Sequence, residues 1–262
     1  ATHLALSLVS CGYKITQIWS QKIENAKKLS KKINSHAIDN LMDIKKADLY
    51  IIAVKDDKIE SIINKLKNKI NNVVHTSGNT NINVFTKHFK YFGVLYPLQT
   101  FNKTNQNILE FPLCIEANNP IFEKKLLKLA NKLSKKVELI DSQQRKIIHL
   151  AAVFSCNFTN HMFSIADNLL AKANIDFKIL LPLIQQTYQQ LEKNKPSELQ
   201  TGPAARKDLN TINKQLDDIS DEKINELEIP TGNPLVIDFD EELKVKKFFY
   251  LDKSRAKNIN IS

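Results

Sequence analysis

The sequence predicts an α/β fold followed by an all-helical segment and a short β-hairpin. Three observations carry this. Residues 1–141 alternate short β-rich runs with amphipathic helices, residues 142–214 show no strand pattern, and residues 215–262 return to strands. Apolar strands that alternate with helices build a parallel sheet covered on both faces. Three domains are therefore expected: 1–141, 142–214 and 215–262.

Taken in order, Ala1–Ser10 reads as a helix closed by a Cys-Gly turn, and Lys14–Trp19 as a strand. Ile23–Ile33 is an amphipathic helix leading to a short strand near Ala37–Ile38. "DLYIIAVKDD" is an apolar strand with a polar end, and Lys58–Ile70 is the helix after it. "NVVHTSG" and "FGVLYP" read as strands, with "NVFTKHF" as a helix between them. "FPLCIEA", helix Ile121–Leu133 and strand "KVELI" close the first section. From Ser142 a helical run of about eight turns proceeds with no Pro or Gly inside it. A second helix contains Pro182, and a third follows "SELQTGPAARKD". The last section has a Pro-Thr-Gly turn and two strands joined by the polar "DFDEEL", a hairpin pattern.

The net charge of +10 is spread over helix faces such as "ENAKKLSKKIN" and "IINKLKNKINN". That is the pattern of a solvated lysine-rich surface, and no motif points to a nucleic-acid partner. Cys11, Cys114 and Cys156 are far apart and sit in no CxxC or Cys/His cluster, so no metal site is expected. Reduced thiols suit a cytoplasmic protein. No apolar run approaches a membrane span, and no signal peptide is visible.

Ligands of open α/β sheets lie beyond the carboxyl ends of the strands. Four such ends are polar here: Ser20–Lys22, Lys55–Asp57, His75–Gly78 and Pro97–Thr100. An acid at the first of them would hold ribose hydroxyls. Ser20, Gln21 and Lys22 instead supply a hydroxyl, an amide and a cation, which suits a 2′-phosphate. Ser20 equally suits a helix cap, and "HTSGN" a simple turn. In the long helix, His149, Val153, Cys156, Asn157, Asn160 and His161 fall on one face at α-helical spacing. Polar groups there must be hydrogen-bonded or face a ligand. A histidine titrates near neutral pH, so His149 or His161 is a candidate proton donor, with Asn157 and Gln99 orienting a substrate. The alternative is buried polar glue at an interdomain or dimer surface. No lysine lies on this face. "QTGPAARKD" places small residues before a helix with Arg206 and Lys207 in its first turns, a start that holds an anion or simply carries solvated charge.

"YIIAVKDDKI", "VVHTSGN", "GVLYPLQTF", "IHLAAVFSCNFTNHMF", "LLPLIQQT" and "QTGPAARKD" resemble the Rossmann-like proteins that carry a DUF2520 domain. These are relatives of pyrroline-5-carboxylate reductase and of coenzyme F420-dependent NADP oxidoreductase. The resemblance runs from Ala1 to about Lys214. It implies a Rossmann-like sheet whose first strand and glycine turn would directly precede "ATHLA" and are missing here, hence weak or no NADPH binding by the chain as it stands. It further implies NADP as cofactor and hydride transfer to a C=N or C=O bond of a small molecule. Ala53, Val54 and Lys55 match the segment that lies along the cofactor. His75, Thr76, Ser77 and Gly78 match the segment near the nicotinamide. Pro97, Gln99 and Thr100 match the loop facing the substrate, with Thr201, Gly202 and Arg206 as further substrate contacts. A homodimer through the helical domain is implied as well. The final section, "DDISDEKINELEIPTGNPLVIDFDEELKVKKFFYLD", instead resembles the end of cofactor-dependent phosphoglycerate mutase, a fusion of unrelated sequences. The mutase's "RHGE" motif is absent, so mutase activity is not expected. The competing reading of the whole chain is a non-catalytic binding or interaction remnant with a degraded cofactor site.

Overall fold

The computed structural model describes residues 1–67, 69–99, 111–220, 235–239 and 245–250. It divides into two compact units, Ala1–Phe177 and Lys178–Ser262. The composition change at Asp141–Ser142 falls inside the first unit.

The first unit opens with α1 (Thr2–Ser10), β1 (Gln17–Trp19), α2 (Ile23–Ile33) and β2 (His36–Ile38). It continues through β3 (Tyr50–Ile52), α3 (Ile59–Leu66), β4 (Asn72–His75) and β5 (Tyr91–Pro97). It ends with β6 (Leu113–Ala117), α4 (Pro120–Leu133), β7 (Val137–Leu139), α5 (Ser142–Ala152) and α6 (Thr159–Lys172). Local chemistry explains the helix limits. In α2, Glu24 sits in the first turn and Lys31 and Lys32 in the last, matching the helix dipole, and Asn34 ends it at φ 51°. Asn119 caps α4 by accepting from the Ile121 and Phe122 amides, with Pro120 opening the first turn. Asp141 and Gln144 form a capping box on α5.

The α/β expectation holds, and the sheet differs from it in two ways. β1 and β2 form a parallel pair of their own, while β3-β4-β5-β6-β7 form a separate five-stranded sheet. Within that sheet β5 and β6 run antiparallel and the other pairs parallel. Gly93 permits the antiparallel contact, since a Cβ there would lie 2.3 Å from the Glu116 carbonyl oxygen of β6. The sheet is parallel-dominated as expected, and its one antiparallel step is not encoded by alternating apolar runs.

Both faces of the larger sheet are covered. Val73 of β4 packs with Ile59, Ile62, Ile63 and Leu66 of α3 and with Phe85 and Phe92. Its neighbour Val74 points the other way, into Leu4 and Leu8 of α1 and Phe122, Leu126 and Ala130 of α4. This is the period-two alternation of a strand buried on both sides. The stretch expected as helix "NVFTKHF" is a short 3-10 turn, Ile82–Phe85, that buries Phe85. The long helical run is interrupted between α5 and α6 by a π-helical segment, Val153–Phe158.

The second unit contains α7 (Leu181–Leu191), α8 (Gly202–Ala205), α9 (Leu209–Ser220) and the strands β8 (Leu235–Phe239) and β9 (Val245–Tyr250). The two strands pair antiparallel, as the hairpin pattern predicts. No helix among the described residues is long and apolar enough to cross a membrane.

Candidate functional site

Each polar strand end sits where the sequence places it. Ser20 follows β1, half-buried, with its amide donating to the Ile38 carbonyl of β2 at 3.4 Å. Lys22 is exposed at the start of α2. Ala53 and Val54 leave β3 half-buried, and Lys55 is exposed. Thr76 follows β4, and its amide donates to the Ile52 carbonyl of β3 at 3.2 Å, so these two ends lie side by side. Pro97 is the buried last residue of β5, with Gln99 half-buried just beyond it. Thr100 lies outside the described residues.

The "HTSGN" segment folds on itself. The Ser77 hydroxyl accepts from the Asn79 and Thr80 amides at 3.1 and 2.9 Å, a turn closed by its own side chain. Nδ1 of His75 accepts from the Ser77 amide at 3.2 Å, and the ring packs on Phe85 with centroids 5.4 Å apart. His75 and Ser77 therefore point their side chains inward, Thr76 is the half-buried outward residue of this segment, and Gly78 is buried. Burial, and second the positive charge of Arg145, push the His75 pKa down to about 3, while the Asn81 backbone works weakly the other way. His75 is thus a neutral interior group.

Helix α5 is fastened against this turn by Arg145, which is 1 % exposed. Its guanidinium pairs with the Glu116 carboxylate of β6 and donates to the Thr80 carbonyl oxygen at 2.6 Å. Ser142 Oγ donates to the same carboxylate at 2.8 Å and accepts from the Ile82 amide at 3.0 Å. A buried charge with a partner and several hydrogen bonds is the arrangement burial demands. One turn further along α5 is His149.

His149 is the sequence-predicted residue that the fold brings onto the strand ends. Its ring lies against Gly78: a Cβ on Gly78 would sit 2.6 Å from His149 Cγ and Nδ1. Only glycine allows that approach. Its Nδ1 is 2.9 Å from the Tyr96 hydroxyl of β5. Tyr96 is 8 % exposed, and burial first, then the neighbouring Cys114, push its phenol up to about 12. Cys114, opposite Tyr96 in the β5–β6 register, is a buried thiol whose pKa is raised, chiefly by burial. The sequence reading missed Tyr96. Inside "GVLYPL" it looks like one more core residue, and the contact that distinguishes it spans 53 positions.

The other members of the predicted helical face are not gathered here. Cys156 and Asn157 are exposed on the π-helical segment, and His161 is half-buried in α6. Neither Asn157 nor His161 makes a hydrogen bond to His149 or Tyr96 among the described residues. A π turn holds more residues than an α turn, so the stripe counted at α-helical spacing does not stay in phase across it. Thr201, Gly202 and Arg206 lie in the second unit, and Arg206 is exposed. The helix beginning at Gly202 is four residues long, too short to offer an anion the dipole of an extended helix. A crevice between α3 and the 3-10 turn, lined by Glu60, Asn64, Asn83 and Lys87 among others, contains none of the predicted site residues. Among the described residues no group of three or more His, Cys, Asp or Glu is placed to hold a metal.

Comparison with known proteins shows where this fold and sequence recur. Residues 1–77 match the family described as "NADP oxidoreductase coenzyme F420-dependent", and residues 111–227 match DUF2520, a domain of unknown function. A solved structure from Bacteroides fragilis assigned as an NADP oxidoreductase is 38% identical, with TM-score 0.79, over 85% of this chain and 88% of that one. A Plasmodium falciparum pyrroline carboxylate reductase, solved with NADP bound, shares the fold at 13% identity and TM-score 0.55, over 83% of this chain and 88% of that one. The C-terminal segment matches the 2,3-bisphosphoglycerate-dependent phosphoglycerate mutase of Caulobacter sp. (strain K31), 56% identical over 48 residues. That match spans 18% of this chain and only 20% of the mutase.

Proposed function

This chain belongs to the NADP oxidoreductase family of the Bacteroides fragilis protein, and on that footing we propose that it reduces a C=N or C=O bond of a small metabolite with NADPH. The observation that carries the proposal is the placing of His149, by Gly78 and Tyr96, at the carboxyl ends of β4 and β5. That is where open α/β sheets hold their ligands.

The residues present fit the cofactor. Ser20 and Thr76 supply hydroxyls and Lys22 and Lys55 cations at the ends of β1, β3 and β4, a donor set suited to a phosphorylated dinucleotide. When bound, NADPH supplies a hydride with its electron pair to the acceptor carbon. The π electrons of the acceptor collect on its oxygen or nitrogen, and that atom takes a proton from His149. Gln99 is proposed to orient the substrate, and a homodimer through the helical region is the proposed assembly.

Trp19 is the sole tryptophan and directly precedes Ser20, so its emission reports on the cofactor end of β1. Titration with NADPH is performed on the chain as it stands and on a form preceded by a strand-Gly-x-Gly-Asn-Val segment. Saturable quenching is expected in the extended form, with a midpoint within about 1 μM to 1 mM, the range usual for enzyme substrates. Absence of quenching in both forms would sink the proposal.

A further inference from the structure

The geometry points to Tyr96 as the positioning residue that fixes His149 in the tautomer with its proton on Nε2, so that the site offers an N–H to its substrate and selects an unprotonated acceptor, a carbonyl oxygen, over a protonated imine. The inference rests on the reductase reading and narrows it.

Tyr96 is buried, and among the described residues its hydroxyl hydrogen-bonds to His149 Nδ1 at 2.9 Å. A buried hydroxyl proton left without an acceptor costs about 1–3 kcal/mol. If Nδ1 carried the proton and Tyr96 accepted it, the phenol's own hydrogen would be left in that condition. With Tyr96 donating to Nδ1, both atoms are satisfied and the ring proton must reside on Nε2. The phenol, pushed up to about 12, stays protonated and so remains a donor. The charged and titratable groups acting on Tyr96 are Cys114 from β6, Arg145 from α5 and Asp56 from the turn after β3.

Gly78 closes one side of the ring and Tyr96 holds Nδ1, so Nε2 is the nitrogen left to meet a substrate. A carbonyl oxygen accepts from Nε2–H. A protonated imine is itself a donor and is refused, since like polarity leaves both hydrogens unpaired. When the acceptor oxygen takes the Nε2 proton, the Tyr96 proton moves to Nδ1. The ring ends neutral with its proton on Nδ1, and solvent then protonates Nε2 as Nδ1 returns its proton to the phenolate, which restores the resting tautomer.

The test is long-range proton–nitrogen NMR on the full chain labelled with 15N-histidine, at a pH where the His149 ring is neutral. The His149 signals among the six histidines are assigned with His149→Gln. A pyrrole-like Nε2 and a hydrogen-bonded, pyridine-like Nδ1 are expected, and Tyr96→Phe should move the Nδ1 resonance toward that of an unbonded ring. A proton on Nδ1, or an Nδ1 resonance indifferent to Tyr96→Phe, overturns the tautomer assignment. Cyclohexanone should then shift the Nε2 resonance and pyrrolidinium should not. A shift with pyrrolidinium, or with neither probe, overturns the substrate class. The NADPH titration is independent of these signals. If neither form binds NADPH but the expected tautomer is present, the reductase reading is lost and the role of Tyr96 is kept.

Discussion

His75 shows how one residue type serves opposite ends within a single site. Its ring is fully buried and holds the turn that presents Gly78, whereas His149, a partly open ring, rests on that turn. The two could not be told apart in "HTSGN" and "IIHLA", because burial is a property of what packs around a residue. The buried ring has a measurable consequence. An unfolded histidine binds its proton near pH 6.5, while His75 resists protonation down to about 3. Between those values the unfolded chain takes up protons that the folded chain refuses. Its contribution to stability is complete above pH 6.5 and falls by about 1.4 kcal/mol per pH unit as the solution is acidified toward 3. Urea unfolding across pH 6.5 to 4.5, above most carboxylate titration, should show a shallower loss in His75→Asn, whose amide oxygen can take the place of Nδ1. Parallel curves for the two proteins would refute the assignment.

At the scale of elements, the helices and most strands were legible because each carries its own signal. "IENAKKLSKKI" has an apolar stripe and ends of the right charge, and "DSQQ" is a helix start in four letters. Asp141 of that capping box also begins the helix that carries Arg145 and His149. Replacing Asp141 by Ala should cost about 0.5–2 kcal/mol of stability, read as a lowered midpoint of thermal unfolding. An unchanged midpoint would mean that the Arg145–Glu116 pair alone secures the start of α5. What the sequence could not announce was geometry set by neighbours. "NVFTKHF" has helical spacing but folds as a 3-10 turn around the buried Phe85. The π-helical segment is invisible to a count at 3.6 residues per turn, and that count misled the grouping of Asn157 and His161 with His149.

For the whole molecule, alternating strands and helices identified the α/β class but not the division of the strands into two sheets, nor the antiparallel step from β5 to β6. Both depend on pairing between segments distant in sequence. The pairing also orders the local stabilities. Val73, Val74, Val94 and Leu95 have no exposed surface and sit on adjacent strands of the larger sheet. Hydrogen–deuterium exchange should be slowest at the β4 and β5 amides and markedly faster along the exposed π-helical segment. Equal protection in the two regions would show that the five-stranded sheet is not the most stable part of the fold.

The wider turn between α5 and α6 also has an evolutionary reading. A π turn behaves as an α-helix that has accepted one surplus residue. Deleting a single codon within Val153–Phe158 would rewind that stretch to α-helix and leave everything beyond it facing as before, whereas the same deletion in a regular α-helix would turn everything beyond it by about 100°, the angle of one residue. Asn160, His161 and the rest of α6 would keep their direction, and the strands and His149 would stay where they are. A lineage with such a segment can gain or lose a residue in mid-helix without re-aiming either half.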